Sequence, residues 1–196
     1  MYHRVLPDDC DPLTRRLLVG AVTRSKFERQ LDYLGRHFQV VSLRELVARR
    51  DSCGRLVAIT FDDGYADNLW HALPALQERG MPATVFVTSS YLDSSEGVWW
   101  ERLARWVVQS GRATMRLDTG DRTQAFPYPG RPTQQFRNVR KFLTDLTPEA
   151  RKAALAEVPT HPQDRFLTTT EMRQLAAAGV QIEGHTVTHP RLSSLS

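Results

Sequence analysis

The sequence predicts an α/β fold built on a parallel sheet, and three observations carry that expectation. "RLVAITF" (55–61) and "PATVFVTS" (82–89) are nearly continuous apolar runs, as strands buried on both faces require. The stretch between them, "ADNLWHALPALQERG" (66–80), has a helical pattern, and strand, helix, strand within about 35 residues is the signature of a βαβ unit. A later strand begins "VQIEGHTVTHP" (180–190), so two apolar strands each run out into residues that can do chemistry.

The elements follow in order. "TRSKFERQLDYLGRHF" (23–38) sets Phe27, Leu31 and Leu34 at helical spacing and reads as an amphipathic helix. "QVVSL" (39–43) is a short strand, and "SLRELVARRD" (42–51) a helix with Ser42 as N-cap and Glu45 closing a capping box. Within 66–80, Pro74 either kinks the helix or marks the first turn of one that starts late, and Gly80 ends it. "GVWWERLARWVVQSG" (97–111) is a further helix, carrying three tryptophans. The segment at about 112–165 is poorer in pattern: turn-rich "FPYPGRP" (126–132) precedes a helical stretch around 133–157. It reads as an insertion or a subdomain edge. "TTTEMRQLAAAGV" (168–180) is a helix with Thr168 as cap, Glu171 available for a capping box and Gly179 at its end.

A chain of 196 residues is long enough for one domain with a sizeable core. With 41% hydrophobic and 24% charged residues it has the composition of a soluble globular protein. The net charge of +4 comes mostly from arginines spread along the chain, with no basic stripe interleaved with aromatics, which argues against a nucleic-acid partner. Cys10 and Cys53 are far apart and form no CxxC, so they do not report a redox compartment. "MYHRVLPDDCDP" has no apolar signal-peptide region, and no apolar run is long enough to span a membrane. The default expectation is a cytoplasmic protein with no membrane span.

Two adjacent acids, Asp62 and Asp63, close the first strand. Like charges repel, and a carboxylate at the edge of a core needs a partner, so either the pair caps the next helix or a cation sits there. In parallel α/β folds the carboxyl ends of the strands share one face, where sites are assembled. His185 and His189, four apart, joined by at least one carboxylate suit a divalent metal such as zinc. Either motif alone has an ordinary reading, as surface histidines or a capping aspartate. Their conjunction at two strand ends favours the metal. A two-His-one-carboxylate iron oxygenase uses similar ligands, but that class usually shows HxD before a distant His and a β-rich scaffold. Trp99, Trp100 and Trp106 offer faces for sugar rings, although the spacing of Trp99 and Trp106 suits core packing. His37, His71 and His161 have no matched partner and read as surface or capping residues.

On these residues the chain resembles the polysaccharide deacetylases, the NodB-like carbohydrate esterases. "TFDDGY" (60–65) matches their first motif without a substitution, and "HTVTHP" (185–190) matches their second, H-[ST]-x-x-H-P. "YHRV" (2–5), the block at 27–46 and "GVWW" (97–100) resemble them in context. The resemblance implies an incomplete, distorted (β/α) barrel and a metal-dependent hydrolase that removes N-acetyl or O-acetyl groups from a polysaccharide or amino sugar. It implies that Asp63, His185 and His189 hold the metal, most simply Zn2+, and that Asp62 is the general base toward the metal-bound water. The backbone N–H at Tyr65 would help hold the oxyanion. His3 is a candidate substrate contact, and Thr186 is expected to order its loop by a hydrogen bond. The family's later motifs, including the histidine that serves as general acid, would follow Ser196. Residues 1–196 therefore read as the N-terminal portion of such a domain, and the isolated chain is expected to be inactive or very weak. The competing expectation is a carbohydrate-binding or structural remnant that keeps the metal site without turnover.

Overall fold

The structure, a computed structural model, describes residues 1–18, 20–50, 54–94, 98–111, 113–162 and 164–190. The expected helix ends at Asp51 and Gly97, and Cys53, lie outside these residues. The chain divides into two compact units: one drawn from 1–10, 19–95 and 165–196, the other from 11–18 and 96–164.

In chain order, β1 (Arg4–Leu6) is followed by α1 (Pro12–Leu17), β2 (Ala21–Thr23), α2 (Arg24–His37), β3 (Gln39–Val40), α3 (Leu43–Ala48), β4 (Leu56–Val57) and β5 (Ile59–Phe61). A π-helical turn at Asn68–Ala72 leads into α4 (Leu73–Glu78), then β6 (Ala83–Val87) and a 3-10 turn at Ser89–Tyr91. Next come α5 (Trp99–Gln109), β7 (Met115–Asp118), β8 (Thr123–Phe126), α6 (Pro132–Thr144), α7 (Pro148–Ala154), α8 (Thr169–Ala177) and β9 (Gln181–Gly184).

The first unit carries the parallel strands. β6 lies between β5 and β9, with Ile59 opposite Ala83 and Val85 opposite Ile182. β1 pairs with β2, and a parallel bridge between Tyr2 and Phe61 connects the N-terminal segment to β5. The expected strand over 55–61 divides at Ala58, because β4 pairs with β3 while β5 pairs with β6. Every strand pair in this unit is parallel, and among the described residues the strands do not close into a barrel. α2 buries Phe27 and Leu31 completely, each worth about 1.5–3 kcal/mol of apolar transfer. Phe27 meets Tyr2 edge-on at 5.0 Å, and Tyr2 stacks on Phe61 at 5.6 Å.

Local chemistry sets most element ends. Thr23 caps α2 by accepting from Lys26 N–H, and Ser42 caps α3 by accepting from Glu45 N–H. The Glu45 carboxylate reaches forward to Arg49 at 2.7 Å. Pro74 has no N–H with which to continue an α-helical ladder. Just before it, the N–H of Leu73 donates five residues back to Asn68, and the helix begins as a π turn instead of kinking. α8 has the full capping box, with Thr168 accepting from Glu171 N–H and the Glu171 carboxylate accepting from Thr168 N–H.

The second unit holds α1, α5, α6, α7 and the antiparallel β7–β8 hairpin. β7 alternates, with Met115 and Leu117 buried and Arg116 and Asp118 exposed. Thr119 N–H bonds Arg122 O across the turn. The helical stretch expected around 133–157 is two helices, because Thr147 caps a fresh start at Pro148. Trp99, Trp100 and Trp106 are half-buried; Trp99 meets Trp100 edge-on at 5.5 Å, and the Arg151 guanidinium lies over its ring at 5.2 Å. None of the described helices is long and apolar enough to cross a membrane.

Candidate metal centre

The first unit places the carboxyl ends of β5, β6 and β9 side by side, and the sequence breaks its regular structure at each. After β5, Asp62 N–H donates to Tyr2 O at 2.9 Å. Asp63 and Gly64 then take left-handed conformations in succession, with φ of 74° and 79°. At Gly64 a side chain would be crowded: a Cβ there would lie 3.2 Å from a Val87 methyl. The sharp turn leaves Asp63 only 5% exposed. It is pinned from outside, since Gly64 O accepts from Leu167 N–H at 2.9 Å and Ala66 N–H donates to Arg165 O at 3.1 Å.

After β9, His185 N–H donates to Val87 O at 2.8 Å. Thr186 is left-handed (φ 65°), an uncommon state for a β-branched residue. Its Oγ1 accepts from His189 N–H at 3.0 Å, so the hydroxyl orders the loop. Ser89 N–H donates to Thr186 O, and Ser90 N–H to Val187 O, tying this loop to the turn that follows β6.

These two turns bring Asp63, His185 and His189 together. The Nε2 atoms of His185 and His189 lie 3.6 and 3.5 Å from Asp63 Oδ1, and the imidazole centroids are 5.0 Å apart. The three ligand atoms are all within 4.8 Å of one another, and they form the one such group among the described residues. Asp63 Oδ1 is buried and has no hydrogen-bond partner. A buried carboxylate oxygen left without a donor is costly. The imidazole nitrogens facing it are too far for good hydrogen bonds. Tetrahedral zinc with ligands at about 2.0–2.2 Å holds them roughly 3.4 Å apart, so the donor set and the Asp63 spacings fit a divalent cation.

The other sequence-predicted residues are not ligands in this group. Asp62 is half-buried, next to Asp63. Tyr65 is buried; its ring stacks on Phe166 at 4.9 Å, and the Arg4 guanidinium lies over it at 4.8 Å. The His3 ring lies against Gly20, and its carbonyl accepts from Asn68 Nδ2 at 3.0 Å.

Several supporting residues carry no motif. Arg4 is fully buried and pairs with Asp67 at 2.8 Å, and Asp67 also accepts from Val5 N–H at 3.0 Å. Tyr91 stacks on Phe166 at 4.4 Å; burial, with a smaller contribution from the Asp63 charge, pushes its phenol above the usual tyrosine value. Arg165 lies over the Trp70 ring at 4.4 Å and grips both Glu171 oxygens at 2.6 Å, drawing that carboxyl down to about 2. The capping box hinted at Glu171, but nothing local marks Arg4 and Asp67 as partners 63 residues apart.

The comparisons with known proteins bear on the family and the fold. The sequence profile of the family described as "Polysaccharide deacetylase" matches residues 49–196. A curated relative, "Putative polysaccharide deacetylase YxkH" of Bacillus subtilis (strain 168), is 35% identical over 71 residues, 34% of this chain and 25% of the relative. All of this chain superposes on the deacetylase PplD of Streptococcus pyogenes, solved in complex with acetate, with TM-score 0.54, 17% identity and 58% of that chain covered. The polysaccharide deacetylase BC0361 of Bacillus cereus superposes with TM-score 0.53, 14% identity and 40% of its chain covered. At such identities the two structures show the fold, an α/β arrangement of the deacetylase type. This chain spans a quarter of the curated relative and 40–58% of these two structures.

Proposed function

The chain belongs to the polysaccharide deacetylase family, and we propose that it carries the metal-binding half of a hydrolase that removes acetyl groups, N-linked or O-linked, from a glycan or amino sugar. One observation carries the reading: the buried, unpartnered Asp63 Oδ1 faces two imidazole nitrogens at 3.5 and 3.6 Å. Asp63, His185 and His189 would hold the ion, most simply Zn2+. When bound, such an ion supplies Lewis acidity, lowering the pKa of a water and polarising the acetyl carbonyl.

The chain's own residues divide the remaining work. Asp62, beside a ligand yet outside the ligand set, accepts the proton from the attacking water as general base. The backbone N–H of Tyr65, whose ring packs against Phe166 and Arg4, would meet developing negative charge on the acetyl oxygen. His3 is a candidate contact to the sugar. The same reading takes the chain as the N-terminal portion of a deacetylase domain with an insertion at about 112–165.

The test combines metal binding with acetate release from an N-acetylglucosamine oligomer. Asp63→Ala should abolish stoichiometric Zn2+ binding. Asp62→Asn should keep the metal and lower the chain's weak acetate release, read at high enzyme concentration, by about 10²–10⁴-fold, the usual worth of a general base. Zinc binding that survives Asp63→Ala overturns the site. A second reading, a glycan-binding remnant, draws on the strands' failure to close a barrel among the described residues. Zinc and oligomer both bound, with no acetate release even at high enzyme concentration, favours it.

A further inference from the structure

The sheet order puts β6 between the two ligand-bearing turns, although β6 supplies no ligand. Thr88, the first residue after it, is fully buried. Its hydroxyl donates to His185 O at 3.2 Å, and its N–H makes a long 3.5 Å bond to Asp63 O. Preceding it, Val87 O accepts from His185 N–H, and the Val87 methyls fill the space beside Gly64. One residue therefore touches the backbone of two of the three ligands. The side-chain bond holds the His185 peptide just before Thr186, where the chain enters a left-handed conformation that a β-branched residue resists.

We propose that Thr88 is a positioning residue of the Asp63–His185–His189 centre, its buried hydroxyl fixing the His185 peptide and with it the reach of the imidazole toward Asp63. The inference rests on the metal-centre reading above. Valine has the shape of threonine without the hydroxyl and leaves the backbone bonds in place, whereas serine keeps the hydroxyl and loses a methyl. Groups that orient metal ligands from outside typically change affinity by about 10–100-fold when removed. A single 3.2 Å bond to a ligand's backbone belongs near the lower end of that range.

The experiment measures Zn2+ and Co2+ dissociation constants by chelator competition for the whole chain, wild type, Thr88→Val and Thr88→Ser, together with the metal-free unfolding midpoint of each. The expected result is binding weaker by about tenfold in Thr88→Val, near wild type in Thr88→Ser, with similar metal-free midpoints. Wild-type affinity in Thr88→Val overturns the proposal while leaving the metal centre standing. Equal loss in both variants, or loss that follows the metal-free midpoint, makes Thr88 a folding residue and also overturns it. A wild-type chain that binds neither ion overturns the metal centre and this inference together.

Discussion

Replacing Glu171 by glutamine tests how firmly the segment over the Asp63–Gly64 turn is held. Arg165 and Phe166 come just before α8 in the chain, and Arg165 O and Leu167 N–H are the groups that bond the turn. Among the contacts that keep them there are the two-pronged Arg165–Glu171 pair, the Arg165 guanidinium on Trp70 and the stacking of Phe166 on Tyr65 and Tyr91. The Glu171 carboxyl falls from 4.5 to about 2, first because Arg165 donates to it and further because Thr168 N–H does. Each pKa unit corresponds to about 1.4 kcal/mol, so the shift sets an upper bound of about 3 kcal/mol. The two side chains are 15% and 29% exposed, and water on the arginine side trims the value toward about 1–3 kcal/mol.

The sign is fixed by linkage. A carboxyl whose folded pKa lies below its unfolded one stabilises fully above the unfolded value, and the contribution fades as pH falls from about 5 toward 2. Glutamine keeps the length of the side chain and can still accept from Thr168 N–H, so the wild-type-minus-variant difference reports the charge. The assay is urea unfolding followed by circular dichroism at about pH 7 and about pH 3.5. The expected gap is about 1–3 kcal/mol at the higher pH and roughly three-fifths of that at the lower. Asp8 and Asp32, each held low by its own hydrogen bonds, titrate in both proteins and cancel. A gap equal at both pH values refutes the ionic clamp.

Two further substitutions probe the frame of the centre. Gly64→Ala forces a Cβ into a left-handed residue, about 1–2 kcal/mol, and against Val87 at 3.2 Å. It should lower the unfolding free energy by about 2 kcal/mol and weaken zinc binding, and wild-type values in both measurements would show that the turn does not need glycine. Arg4→Met strands the buried Asp67 carboxylate and should cost about 3–5 kcal/mol in urea unfolding. Adding Asp67→Leu should recover most of that loss, and simple additivity of the two losses would remove the pair from the account.

Features fixed by residues a few positions apart were legible in the sequence: the Ser42 and Thr168 caps, the Phe27–Leu31 stripe of α2, and the βαβ unit around 55–89. The β7–β8 hairpin was not. Met115 and Leu117 give the alternation only two buried positions, too few to stand out from a loop. Arg4 and Asp67 escaped for a different reason, since a buried ion pair is defined by two distant positions and each looks like an ordinary charged residue alone. At the candidate site, the residue types the sequence offers are carboxylate and imidazole, which suit a metal such as zinc. What could not be read is the backbone that lets them converge. Asp63, Thr186 and His189 all have positive φ, and only Gly64 announces such a turn by its residue type. Left-handed backbone at aspartate and histidine is tolerable, but at threonine it persists only where surrounding bonds over-determine it. Those bonds come from Thr88, Ser89 and Ser90, just beyond β6, a stretch with no ligand and no motif. The motifs supply the donor atoms, and the neighbouring strand end supplies the constraint that aims them.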